Sequence, residues 1–452
     1  MSHDGRTTSD GSSKLNRFKR RDVLAAAGAS AAVPLAGCGG NGNGNGDGPI
    51  TIGAVYLLSG LAEALGAGSV AAAEVAADVL NEEGGVDGRE VEVVSRDHGD
   101  APSQQIRSLV QEVGADALLG LTSSTVGLDN GPTFEQLGVP TIITDLGTPW
   151  LTEHDRETYG NYYDGDTPGA AGVDNLFRAN SHTGHMTYGL AAFTDENYDE
   201  GLDIAAMGPD YSYGQQTWRY FQAFLDGLGY DYNVVAEEFP ELGAGDMTPQ
   251  ITNVQQADPD IVFTSFWAGD TVTFTRQANE AGLFDDVIDV YDTIGADSTN
   301  FNAIGDAMPE GFHYSGWYYP GAYGTDEDQE FIDAYFDFYE DDDSVLEYPT
   351  FTGGSTYTAV MSLASAIEET GSTAPSDLVE FLRGHSESRD PRGPSAYDDT
   401  SQQMQTTAVI GESTFDGDVP YDGATQTNFE LYELDRETAV DLLEGTGLPP
   451  GV

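Results

Sequence analysis

Residues 50–100, ITIGAVYLLSGLAEALGAGSVAAAEVAADVLNEEGGVDGREVEVVSRDHGD, decide the fold. Residues 50–55 form a short run of apolar and β-branched side chains, the pattern of a strand buried on both faces. Ser59-Gly60 breaks that run and opens a loop. From Gly68 onward Val70, Ala73, Ala77 and Leu80 recur near helical spacing. Gly84-Gly85 and Asp87-Gly88 then turn the chain, and residues 91–94 read as a second strand. A strand, a crossover helix and a strand imply a parallel sheet. Ligands of such sheets bind at the carboxyl ends of the strands. The loop at residues 58–66 is therefore the first candidate site.

The chain beyond repeats this logic. Residues 106–113 read as helical, 117–121 as a buried strand, 126–137 as a helix and 139–144 as a strand. Thr122-Ser123-Ser124-Thr125 follows one strand directly, and Asp145-Leu146-Gly147-Thr148-Pro149 follows the next. Residues 153–172 read as a polar surface insertion. A second α/β series starts near Asn180, with strands at 202–207, 233–237, 261–264 and 287–291 and a helix at 217–228 preceded by a loop, GPDYSYGQQ. Phe266-Trp267 and Asp292-Thr293 fall in its strand-end loops. Residues 348–370 read as a long helix and 430–434 as a final strand.

The opening IGAVYLLSGLAEALG, the helix after it, LNEEGGVDGREVEVV and RDHGDAPSQ resemble the start of the Leu/Ile/Val-binding family, the amino-acid-binding proteins of ABC importers. The resemblance runs, with insertions, from about residue 50 to about residue 413. It implies a type I periplasmic-binding fold: two Rossmann-like α/β lobes with parallel sheets, joined by a hinge crossed several times. Gly305-Asp306-Ala307 with residues 311–314 resembles the return to the first lobe, and GPSAYDDTSQQ resembles the late hairpin. The expected lobes are residues 49–178 with 309–398, and 179–308 with 399–448.

The resemblance also implies site residues. Thr122, Ser123 and Ser124 stand where the family has a serine-rich loop for the ligand carboxylate; ordinary helix capping is the other reading of these hydroxyls. Gly147 and Thr148 match a second loop, here one residue shorter. Asp292 stands nearest the family's second-lobe acid for the ligand ammonium, with a solvated aspartate as the alternative. Tyr213 matches a loop tyrosine, and Phe266 and Trp267 an aromatic wall, against plain core packing. Leu65 falls where the first loop often carries an aromatic residue.

Composition narrows the chemistry. The 452 residues carry a formal charge of −60. Six of the 17 basic and three of the 77 acidic residues precede Cys38, so eleven arginines face 74 acids after it. That is the signature of an acidic shell whose self-repulsion strong salt screens. With 39% hydrophobic and 10% aromatic residues there is enough apolar material for two packed lobes. Both lysines, Lys14 and Lys19, precede Cys38, so the rest of the chain can hold neither a Walker phosphate loop nor a pyridoxal Schiff base. So acidic a surface repels phosphate backbones, which argues against nucleic acid. Gly66-Ala67-Gly68 lacks the third glycine of a dinucleotide fingerprint. His182 and His185 could share a helix face, but without cysteine neighbours or an HExxH pattern no metal is expected. No GxSxG occurs, and the Glu340-Asp341-Asp342-Asp343 run reads as a solvated loop rather than a glycosidase pair.

The N-terminal residues read as an address. Arg20-Arg21 precedes an apolar run at 23–35, too short and alanine-rich for a stable span, the pattern of a removable export signal. Leu35-Ala36-Gly37-Cys38 resembles a lipobox, so residues 1–38 are expected to be removed or lipidated at Cys38, the sole cysteine. Residues 39–48, GGNGNGNGDG, form a tether reaching on the order of 18 Å. The expectation is a monomeric, lipid-anchored solute-binding protein outside the cytoplasmic membrane, without cofactor, that passes an amino acid to an ABC permease. An amide- or urea-binding protein, an exported hydrolase on this scaffold, and a ligand-sensing module of a membrane receptor are the alternatives.

Overall fold

The computed structural model describes residues 48–164, 169–295, 297–340, 348–417, 419–421 and 423–451. Arg20, Arg21, Cys38 and nearly all of the tether lie outside the described residues, as does the acidic run after Glu340.

Two sheets organise the chain. In the first, β1 (Ile50–Tyr56), β2 (Val91–Asp97), β3 (Ala117–Gly120), β4 (Thr141–Ile143) and β5 (Leu176–Arg178) lie in the order β2-β1-β3-β4-β5, with every neighbouring pair parallel. All seven residues of β1 are buried, as its unbroken apolar run requires. The helix Glu63–Glu82 buries an alanine-rich face that includes Ala72, Ala73 and Ala76. Such small side chains let the helix Gly353–Thr370 approach closely, and the Ser69 and Thr352 hydroxyls meet at 2.7 Å. The helix Asp326–Tyr339 adds Phe331, Tyr335 and Tyr339 to the same core.

The second sheet repeats the first. β6 (Leu202–Met207), β7 (Tyr232–Glu238), β8 (Ile261–Thr264), β9 (Asp289–Asp292) and β10 (His313–Gly316) lie in the order β7-β6-β8-β9-β10, all parallel. After a small hairpin of two-residue strands, β11 (Ser386–Glu387) with β12 (Ser395–Ala396), the antiparallel pair β13 (Thr407–Thr414) and β14 (Thr425–Glu433) closes the β10 edge. Two α/β lobes are thus the architecture, one with a parallel sheet and one with a mostly parallel sheet.

Several boundaries differ from the sequence reading. β10, which follows the expected return near residue 309, is still a strand of the second sheet. β13 was not anticipated. The helix Ser212–Leu228 starts earlier than expected, so Tyr213 sits in its first turn. The described ends of the expected insertion at 153–172 are tied down from beneath: Glu153 is 1% exposed and takes Arg436 at 3.3 Å, while Ala170 and Ala171 are fully buried.

The chain passes between the lobes after β5, after β10 and before β13. These passages hold one another. Arg178 N–H donates to Gln402 O, Met404 N–H to Arg178 O, and the Ser181 and Thr406 hydroxyls meet at 2.7 Å. A few linked segments between two rigid bodies are what a hinge requires. Among the described residues no helix is long and apolar enough to cross a membrane.

Candidate functional site between the lobes

A cleft with about 280 Å³ of empty space, part of it open to solvent, lies where the two sheets' carboxyl ends face each other. Seven strands deliver residues to it through the segments that follow them: Leu65 after β1, Thr122, Ser123 and Ser124 after β3, Asp145, Leu146 and Gly147 after β4, Tyr211 and Tyr213 after β6, Trp267 after β8, Ile294 after β9 and Trp317 after β10. This is the crevice that open parallel sheets offer a ligand, doubled.

The lobes touch around it. Thr125 Oγ1 lies 3.0 Å from Ser212 Oγ, and Gly147 backs directly onto the Tyr213 ring. Both lobes also carry a non-glycine residue with positive φ at the cavity edge, Ser123 at φ 80° and Ala268 at φ 49°. Each precedes a helix, Ser124–Leu137 and Gly269–Ala281, whose first turn starts at the cleft. Side chains rarely adopt such backbone, and it gathers where a structure is shaped for a ligand.

The first-lobe hydroxyls have separate jobs. Thr122 Oγ1 accepts from Leu57 N–H at 3.2 Å and donates to Asp145 Oδ2 at 2.7 Å. Ser124 Oγ accepts from Thr148 N–H at 3.1 Å. The Ser123 side chain makes no capping bond to its helix, and among the described residues its hydroxyl is uncommitted. The open N–H groups of that helix start suit an anion. Arg178, fully buried, donates to Leu146 O and Thr148 O at 2.6 Å each and so fixes the second loop; burial alone pulls its guanidinium down to about 9. Two indoles complete the walls. Among the described residues Trp317 Nε1 is buried without a partner, and Trp267 Nε1, beside the Tyr211 phenol, forms no well-made hydrogen bond.

The family profile described as periplasmic binding protein matches residues 49–418. The chain belongs to this family. Leu/Ile/Val-binding protein homolog 7 of Brucella suis is 25% identical over 242 residues, which cover 52% of this chain and 56% of that one. Homolog 3 of Brucella melitensis is 24% identical over 236 residues, 52% of this chain and 59% of that one. The chain therefore spans little more than half the length of the curated relatives it matches. Among solved structures, a Rhodopseudomonas palustris solute-binding protein in complex with 3,4-dihydroxybenzoic acid superposes with a TM-score of 0.70 at 19% identity, over 86% of this chain and 99% of that one. LivJ of Streptococcus pneumoniae in complex with isoleucine gives 0.69 at 18%, over 85% and 100%. At these identities the structures speak for the fold.

As a periplasmic binding protein the chain brings together Leu65, Thr122, Ser123, Ser124, Gly147, Tyr213 and Trp267 from the residues singled out by sequence. Three others lie elsewhere. Phe266 is fully buried against Phe274 in the second lobe's core. Thr148 lies behind the wall, fully buried, its own hydroxyl without a partner. Asp292 ends β9 beneath the cavity, and its carboxyl is consumed locally: Thr264 Oγ1 donates at 2.6 Å, Ile294 N–H at 3.0 Å, and Gly295 N–H as well. Burial pushes Asp292 up to about 7 against those donors. It is neither solvated nor on the cavity wall.

Asp145, not singled out from the sequence, is the acid on that wall. Burial drives it well above the carboxylate range, the Thr122 hydroxyl opposes this, and Asp297 adds to it. Tyr211, Leu146, Ile294 and Trp317 were likewise unforeseen. His182 and His185 instead start the helix Thr183–Asn197: His182 Nδ1 accepts from Gly184 N–H at 2.8 Å and His185 Nδ1 from His182 N–H at 3.3 Å. Among the described residues no cluster suits a metal.

Proposed function

We propose that this chain is the solute-capturing component of an ABC importer and holds a small carboxylate-bearing molecule, an amino acid of the branched-chain type or close to it, between its lobes. One observation carries the reading. The cavity walls come from strand-end loops of both sheets, so a solute can complete its contacts only when the lobes are together. Binding then shifts an open–closed balance through contacts made in one state, and the solute leaves unchanged. The uncommitted Ser123 hydroxyl and the start of the helix Ser124–Leu137 take the carboxylate. Leu65, Leu146, Ile294 and Trp317 take the apolar part.

The closed form is delivered to a membrane permease, with export through Arg20-Arg21 and anchoring through lipidated Cys38. What supports the anchor is the sequence pattern of residues 20–38. What supports the solute class is the cavity and the likeness to Leu/Ile/Val-binding homologues. A second reading, an aromatic acid, is favoured by four aromatic rings in the wall, Tyr211, Tyr213, Trp267 and Trp317, and by similar folds that hold benzoates. Thermal-shift screening in high salt with amino acids, benzoates, amides and simple acids tests this. Stabilisation by an aliphatic amino acid supports the first reading, and stabilisation by benzoates alone supports the second. A response to amides alone removes the carboxylate from both.

A further inference from the structure

We infer that Asp145 is the counter-ion for a cationic group on the solute, so that the acid recognising the solute's ammonium comes from the first lobe. The inference rests on the reading of the cleft as a solute site and goes on to say which end of the solute meets which wall. Asp145 is 3% exposed and lies on the cavity wall. Its hydrogen bonding is directional. Leu57 N–H occupies Thr122 Oγ1 as acceptor, so the Thr122 proton goes to Asp145 Oδ2. One carboxyl oxygen is thereby fixed as an acceptor, and among the described residues none bonds the other.

Charge completes the argument. Among the described residues that line the cavity there is no lysine, arginine or histidine. The guanidinium of Arg178 is turned onto Leu146 O and Thr148 O. Asp297 adds negative potential at Asp145 rather than relieving it. Alone such a carboxyl is costly to ionise, so its unshared oxygen on the cavity wall suits a cationic partner from outside the protein. Asp292 is not placed to serve, since it lies off the cavity wall and Thr264 Oγ1, Ile294 N–H and Gly295 N–H already lie against it. A solute cation placed against Asp145 ionises it and supplies the missing charge. The carboxylate of the same solute then reaches the neighbouring start of the helix Ser124–Leu137.

Three matched probes separate the two ends of such a solute: L-leucine, 4-methylpentanoic acid, which lacks the amine, and 3-methylbutylamine, which lacks the carboxylate. Calorimetry on the intact chain in high salt compares wild type with Asp145→Asn and Asp292→Asn, and circular dichroism checks that each variant is folded. We expect Asp145→Asn to weaken leucine and the amine roughly 30-fold or more and to leave the acid unchanged or tighter. Asp292→Asn should not discriminate between probes with and without the amine. If the acid binds wild type as tightly as leucine, or loses as much affinity as leucine in Asp145→Asn, the inference is overturned while the cleft remains a carboxylate site. If the amine binds and depends on Asp145 although the acid and leucine do not bind, the counter-ion stands and the carboxylate subsite falls. If none of the three binds, the inference and the amino-acid reading of the cleft fall together.

Discussion

Replacing Gly147 with alanine should damage capture while leaving the fold nearly intact. A Cβ at this position would lie 2.6 Å from Tyr213 Cε2, 2.9 Å from Tyr213 Cδ2 and 2.9 Å from Thr183 Oγ1. All three are well inside the ~3.5–4.0 Å of comfortable contact between carbons. Neither side can yield easily. Thr183 ties Gly147 down through its N–H and hydroxyl, which donate to Gly147 O at 2.7 and 2.8 Å. Tyr213 is 2% exposed, with its hydroxyl 2.9 Å from Thr293 Oγ1. Overpacking of this kind costs about 1–3 kcal/mol. The Tyr213 contact crosses between lobes, so most of that cost falls on the closed arrangement alone. Affinity for the best solute of the thermal-shift panel should drop by roughly 5- to 150-fold, while the melting temperature without solute moves little. Calorimetry and thermal melting read the two effects separately. Unchanged affinity would refute the closure argument, and a large loss of melting temperature with unchanged affinity would place Gly147 in the fold rather than in the moving contact.

Three further outcomes follow from the site and its supports. Ser123→Ala should weaken a carboxylate solute by about 1–3 kcal/mol, the cost of a buried charged group losing a donor; an unaltered dissociation constant would remove Ser123 from the site. Asp292, held up at about 7 by burial, binds its proton more tightly folded than unfolded, so its contribution to stability is full below its ordinary value of 3.8 and is lost as pH rises through about 7. Melting in a pH series should show that decline, and Asp292→Asn should flatten it; an identical slope in the variant would contradict the assignment. Glu153→Ala removes a buried carboxylate that pairs with Arg436 and accepts from Asp155 N–H, so denaturant unfolding should show a loss of about 1–3 kcal/mol with solute affinity retained.

The sequence carries the architecture well because buried parallel strands are written as unbroken apolar runs, ITIGAV and IVFT among them. β13 and β14 were harder to read: TQTNFELYE keeps a polar face on an edge hairpin, and the turn before it gives no alternative to a loop. At the site, the loops were legible and the individual side chains less so. Phe266 and Trp267 are neighbours after the same strand, and alternation sends one to the core and the other to the cleft; nothing local tells which. Asp292 looked like a ligand-binding acid because of its place at a strand end. Yet Asp-x-x-Gly lets its carboxyl fold back onto Ile294 and Gly295 N–H groups, a local closure that spacing alone does not reveal. Asp145 was passed over for the opposite reason. Its hydrogen-bond partner among the described residues, Thr122, is 23 residues away and joins it only once β3 and β4 are side by side. Trp317 enters from a passage between the lobes, where no periodic pattern marks a residue as part of a wall.

Amide hydrogen exchange, with and without a saturating mixture of the twenty amino acids in high salt, addresses the cleft most directly. We predict simultaneous slowing at residues 121–126 and 144–148 of the first lobe and at residues 211–214 and 265–269 of the second. Slowing confined to one lobe, slowing only at surfaces away from these loops, or no change at all would contradict a solute held between the two.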